Sequence, residues 1–188
     1  MSIRLFGFLK ALLVVSAVAC FCLPAVGQDR TPSREQIFGG YSYLTPNASI
    51  GGVAFDEASR GYLFSSSTFF NRYVGLQVET GAHFAQNVNI STIQGGLVVR
   101  FLHETVSPFV HSDVGFSRFS PAGFSSRFGP GITGGGGVDI RIYKALEWRI
   151  FQTDFIYSHE NFTPIGPRLN PISARVATGL VWNFGSVK

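Results

Sequence analysis

The sequence predicts an all-β chain, an eight-stranded antiparallel up-and-down barrel of the membrane-spanning kind. Three observations carry this: a composition poor in charge, eight alternating segments of similar length, and connections that alternate between short and long. The 188 residues are 45% apolar and 14% aromatic but only 14% charged, with 22 Gly and 19 Phe. Soluble domains usually carry about 25% charged residues. So many apolar residues exclude disorder, and the abundance of glycine argues against helical bundles.

The N-terminus is a separate element. Arg4 and Lys10 precede an apolar run, Ala11 to Cys22, and Pro24 and the small residues Ala25-Val26-Gly27 follow. This is the pattern of a secretory signal peptide over 1–27, cleaved between Gly27 and Gln28. The rival reading makes Cys20, after Ala17-Val18-Ala19, the acylated first residue of a lipoprotein. Cleavage after Gly27 leaves 161 of the 188 residues and removes both cysteines, so the exported chain has no thiol for a disulfide or a metal. Loss of Arg4 and Lys10 lowers the formal charge from +4 to +2. No basic run survives to suggest nucleic acid. Residues 28–34 form a polar lead-in with no strand pattern, expected to be disordered.

The domain over 35–185 breaks into period-two segments near 35–44, 61–70, 73–84, 91–101, 107–118, 131–142, 147–158 and 172–184, the signature of half-buried strands. Long connections are expected at 45–60, 85–90, 119–130 and 159–171, and short ones at 71–72, 102–106 and 143–146. Such sorting suits a membrane barrel with tight turns on one side and longer loops on the other. Pro46, Pro121, Pro130, Pro164, Pro167 and Pro171 all fall in expected connections, while Pro108 opens a strand, as a closed ladder requires.

Alternation divides the faces. Segment eight sets Ala174, Val176, Thr178, Leu180, Trp182 and Phe184 against Ser173, Arg175, Ala177, Gly179 and Asn183. Segments three, four and seven divide similarly, with Gln152 and Asp154 opposite Phe151, Phe155 and Tyr157. Alternation alone fits a secreted lipocalin-like barrel as well as a membrane one. The charges favour the membrane: Glu79, Asp113, Asp139 and Asp154 meet Arg100, Arg141 and Arg175 on polar faces, a near balance suited to a narrow lumen. His111 shares a face with Asp113 and joins this expected lumen network. Aromatics gather toward segment ends, as interfacial girdles do. Gly134 to Gly137, inside a segment, suggest tight curvature or close approach of neighbouring groups to bare backbone.

The chain resembles the small eight-stranded bacterial outer-membrane β-barrels of OmpA/OmpX-like architecture. The resemblance rests on Phe38-Gly39-Gly40-Tyr41-Ser42-Tyr43-Leu44, on Gln152-Thr153-Asp154-Phe155 and above all on Gly179-Leu180-Val181-Trp182-Asn183-Phe184. In the last, Gly179, Trp182 and Phe184 match the C-terminal signal read by the outer-membrane assembly machinery, although Ala177 stands where a polar residue is usual and four residues follow Phe184. The resemblance implies residence in the cell outer membrane of a Gram-negative bacterium, contact with its lipids and lipopolysaccharide, and a monomer. It implies a structural or surface-interaction role through extracellular loops, with no cofactor. A barrel this small has an interior that side chains can fill, so a general porin is not expected.

Chemical motifs are few. Gly129-Pro130-Gly131-Ile132-Thr133-Gly134 satisfies GxGxxG but opens no helix, and His83, His103, His111 and His159 lack metal-ligand spacing. Asn47, Asn89 and Asn161 begin sequons that matter only in a eukaryotic secretory route. The enzymatic alternative is a lipid A-type deacylase or other hydrolase using Ser158-His159-Glu160, but Asn161 stands where that pattern wants serine, and neighbours in an extended chain point apart. The expected role is therefore non-enzymatic. Mass spectrometry of the protein exported by a Gram-negative host should find Gln28 at its N-terminus; an acylated Cys20 would establish the lipoprotein.

Overall fold

The computed structural model describes residues 31–47, 49–50, 53–123, 125–161, 168–169 and 172–187. The expected cleavage between Gly27 and Gln28, the alternative at Cys20, and Pro164, Pro167 and Pro171 lie outside the described residues.

Eight strands close into one antiparallel barrel: β1 (Glu35–Thr45), β2 (Arg60–Phe69), β3 (Val74–Phe84), β4 (Val88–Arg100), β5 (Val106–Pro121), β6 (Arg127–Tyr143), β7 (Leu146–Ser158) and β8 (Ile172–Phe184). Each pairs with its sequence neighbours, and β8 closes on β1 from Glu35↔Phe184 to Thr45↔Ala174. Closure leaves no unpaired edge along the wall. Two short pairs, Ser49–Ile50 with Val53–Ala54 and Glu160–Asn161 with Arg168–Leu169, lie in the connections at the end away from the termini, here the loop end.

The expected sorting of loops holds only in part. The β1–β2 and β7–β8 connections are long, but β3–β4 spans only 85–87 and β5–β6 only 122–126. Segments expected to be loops at 119–130 are largely paired: Phe119 faces Arg127 and Phe116 faces Pro130. Proline within β6 breaks no ladder. The Pro130 carbonyl accepts the His159 amide at 3.0 Å, and since a residue's N and C=O point to the same neighbour, its missing N–H faces the point where β7 ends. Pro108 sits likewise, its carbonyl accepting the Phe101 amide at 2.8 Å just past the end of β4. Within the described part of the lead-in, Arg34 O accepts the Phe69 amide and Pro32 O the Val187 amide, at 2.7 and 2.9 Å.

The outer wall is apolar. Leu76, Val78, Ile93, Leu97, Val114, Ile132 and Leu180 are each at least half exposed. Most outward aromatics lie toward the two ends, Phe70, Tyr73, Tyr143, Trp182 and Phe184 near the termini and Tyr41, Tyr62, Phe84, Phe128 and Tyr157 near the loops, while Phe64 and Phe116 share the rows of Leu180 and Ile93. Water would not tolerate this surface as a continuous belt, whereas a bilayer core flanked by two interfaces requires it.

Inside, apolar clusters bracket a polar middle. Leu44, Ala58, Val88, Ile90, Phe119 and Ile156 pack together at the loop end. Phe69, Val98 and Phe109 pack near the termini, with Val187 against them.

β7 carries one extra residue. Val138 pairs with Phe151 and Asp139 with Arg149, while Ala177 pairs with Gln152 and Gly179 with Arg149. This β-bulge at Ile150–Phe151 reverses the alternation on its terminal side, turning Glu147 and Arg149 inward and Trp148 outward.

Two glycines permit contacts across a strand. A Cβ at Gly96 would lie 2.0 Å from Ser112 O and 2.7 Å from Asp113 Oδ1, and one at Gly135 would lie 2.1 Å from Asp154 Oδ1. Gly134, on the outer face, has nothing within 4 Å of such an atom. Gly96→Val and Gly135→Val should therefore each cost about 1–3 kcal/mol by overpacking, read as a lower urea midpoint for the refolded protein in detergent. Gly134→Ala should stay within about 0.5 kcal/mol of the parent.

Candidate functional site: a buried ionic network on the inner wall

The strand period puts every second side chain of each strand inside, and in this chain those positions carry most of the strand charge. Arg175 on β8 is fully buried and faces Asp154, its register partner on β7. Its Nε donates to Asp154 Oδ2 at 2.8 Å and its NH2 to the same oxygen at 2.6 Å. The same NH2 also donates to Glu79 Oε1 on β3, three strands away around the wall.

His111 of β5 reaches over β6 to Asp154. Its Nε2 lies 2.8 Å from Asp154 Oδ1, and its Nδ1 lies 2.6 Å from Asp113 Oδ2. Register explains the reach, because Gly135 stands between His111 and Asp154 on the ladder and offers no side chain. Gly96 stands likewise between Gln77 and Asp113, whose Nε2 and Oδ2 meet at 3.2 Å. Since a carboxylate only accepts, the imidazole satisfies both partners only with a proton on each nitrogen.

A second pair lies nearer the termini. Arg149 forks onto Asp139, Nε to Oδ1 at 2.8 Å and NH2 to Oδ2 at 3.1 Å, the bidentate geometry that favours arginine. Its guanidinium lies 4.0 Å from the ring centroid of Phe109 and 4.3 Å from that of Phe38. Gln152 joins the two pairs, accepting from Arg149 NH1 at 2.7 Å and donating to Asp154 and Glu79 at 2.9 and 3.1 Å.

Arg100 stands apart from both. It stacks 3.4 Å over the Phe69 ring and donates NH1 to Ser33 Oγ at 2.8 Å. Ser33 Oγ in turn donates to Asn183 Oδ1 at 2.9 Å. Gln36 lies 3.4 Å from both Asp139 and Asn183, linking this group to the Arg149 pair. Arg141 is half-buried, in register with Glu147.

Of the residues the sequence singled out, Glu79, His111, Asp113, Asp154 and Arg175 come together, Asp139 joins them through Arg149 and Gln152, and Arg100 binds the lead-in instead. Sequence reading missed Arg149 and Glu147 because strict alternation counted back from Gln152 puts both outside. No residue type in the segment marks the bulge that reverses them. At the C-terminus, Trp182 and Phe184 face outward near the termini and Gly179 lies at the β1 seam opposite Gly40.

The site's chemistry is ionic pairing. Glu79, His111 and Asp113 offer ligand atoms within 4.8 Å of one another, a metal-compatible set. Yet both His111 nitrogens and Asp113 Oδ2 are already hydrogen-bonded within the network, and apolar clusters lie on either side of it. Ser42 Oγ and the buried His83 Nε2 also meet, at 2.8 Å, but Leu44 and the other members of the loop-end cluster close that end. Ser158 is buried on the inner face, while His159, the next residue, lies past the end of β7.

No protein-family model and no curated protein matches the chain. Solved structures do. Neisserial surface protein A (NspA) aligns at TM-score 0.58 with 15% identity, over 81% of this chain and 98% of that one. The N-terminal β-barrel domain of Pseudomonas aeruginosa OprF aligns at 0.54 with 10% identity, over 81% and 98%. The outer membrane protein OprG of the same organism aligns at 0.53 with 15% identity, over 85% and 100%. At these identities the likeness is one of fold: the chain has the architecture of the small eight-stranded outer-membrane β-barrels.

Proposed function

We propose that the chain is an integral outer-membrane barrel with a filled lumen, acting in a structural or surface-interaction role through its loop end rather than as a general porin or an enzyme. The observation that carries the reading is the contrast between walls: an apolar outer face between two aromatic bands, and an inner face of buried, mutually paired charges closed on both sides by packed apolar clusters. Eight strands leave an interior that side chains can occupy completely. With the interior occupied by side chains, recognition falls to the connections at the loop end.

In this reading Gly179, Trp182 and Phe184 serve the assembly machinery, the outer face contacts outer-membrane lipids including lipopolysaccharide, and the barrel is a monomer. The inner network of Glu79, Arg100, His111, Asp113, Asp139, Arg141, Asp154 and Arg175 fills and stiffens the lumen. The long lipid-facing belt disfavours the secreted lipocalin-like alternative.

Migration that shifts on heating in detergent gels tests the barrel, and recovery as a soluble monomer without detergent would overturn it. Planar-bilayer recordings should show no conductance of nanosiemens order. Arg175→Met should destabilise the refolded barrel by about 3–5 kcal/mol in urea, because Asp154 and Glu79 lose their shared guanidinium while remaining buried. A change below about 1 kcal/mol would mean that the network is dispensable.

A further inference from the structure

We propose that the loop-end outer face of β2–β5 is a docking site for a phosphorylated acyl-saccharide lipid, with Arg60 and Arg118 holding its phosphates. This rests on the outer-membrane reading above, in which the loop end meets the outer leaflet.

Among the strand residues, the outward cations lie at the loop end only. Arg60 on β2 and Arg118 on β5 are both exposed and outward, level with or just beyond the loop-end aromatics. Toward the termini the outward strand charge is instead Glu35, which accepts from Thr68 Oγ1 at 2.7 Å. Among the described residues neither arginine forms an ion pair. Arg118 is steadied by its own surroundings. Its guanidinium lies 5.4 Å from the Phe128 ring centroid, and its NH2 donates to Ser126 Oγ at 3.2 Å.

Register places the two arginines on one patch. Arg60 pairs with Phe84, Phe84 with Asn89, and Arg118 with Ser91. Three strand spacings, about 14 Å, separate β2 from β5, and Asn89 and Ser91 lie between them, exposed on the outward face. Directly below, the same strands turn apolar at Ile93, Leu97 and Val114. The vertical order is cations and hydroxyl-binding groups above, hydrocarbon surface beneath. A guanidinium binds phosphate through paired N–H donors and sheds water more readily than an ammonium. The chemistry that satisfies every tier is a headgroup bearing phosphates and sugar hydroxyls, covalently joined to acyl chains. A free anion would use only the top tier.

The test uses the refolded full barrel in detergent, with wild type and Arg60→Gln/Arg118→Gln compared for binding of diphosphoryl lipid A and of its dephosphorylated form by native mass spectrometry. Wild type should retain the diphosphoryl lipid about ten- to thirtyfold better than the double variant. It should also prefer it to the dephosphorylated form, and excess inorganic phosphate should not displace it. Equal retention by the two proteins, equal retention of the two lipids, or displacement by inorganic phosphate would each overturn the proposal. Heat-modifiable migration, measured on the same samples, reports the barrel separately. A double variant that still shifts on heating but retains the lipid sinks the docking site and leaves the barrel standing, whereas a wild type that does not shift sinks the reading beneath it.

Discussion

A fully buried guanidinium organises the interior of this barrel. Arg175 cannot be left without partners, since an isolated charge away from water is far costlier than any packing gain nearby. Asp154 and Glu79 answer it from β7 and β3. Those acids then need further donors, which Gln152 and His111 supply. The contacts are non-local: Glu79 and Arg175 are 96 residues apart in sequence and on strands that are not neighbours. The ladder joins each strand to the next, and the network ties strands that the ladder leaves unjoined. Removal of a single partner is felt on three or four strands at once.

The same segregation accounts for the low charge of the sequence. A soluble sheet scatters lysine and glutamate over its wet face, but here the wet face is turned inward and confined. Charges appear there only where an opposite charge or an amide can reach, which restricts both their number and their position. The glycines belong to this account. Gly96 and Gly135 lie on strands between interacting partners, and their missing side chains are the space through which Gln77 meets Asp113 and His111 meets Asp154.

Much of this was legible in the sequence. Period-two alternation located the eight strands to within a few residues, and it assigned the inward positions of β3, β4 and β8, because side-chain direction follows from backbone geometry alone. It failed at Arg149 and Glu147, where one inserted residue reverses the alternation and no local composition announces it. Proline misled in the opposite direction. Pro130 reads as a loop residue only if its missing donor is assumed to face a partner, and which side it faces is settled by where the neighbouring strand stops. The contacts of Ser33 in the lead-in were hidden for a similar reason: it is held by Arg100 and Asn183, distant in sequence and invisible to local pattern. The pairing of specific charges was likewise beyond the sequence, since a polar face names the candidates but not the register that joins them.

The unequal strand lengths have a consequence of their own. β5 and β6 run 16 and 17 residues, whereas about 9–11 suffice to cross a bilayer core. The surplus remains hydrogen-bonded out to Phe119 and Arg127, and β4 accompanies β5 as far as Val88↔Pro121, so on this side the barrel carries a stiff three-stranded blade rather than a floppy loop. Ordering a loop on capture subtracts from affinity. A blade already held in shape forgoes that loss, but it also forfeits the ability to remould itself around unrelated shapes.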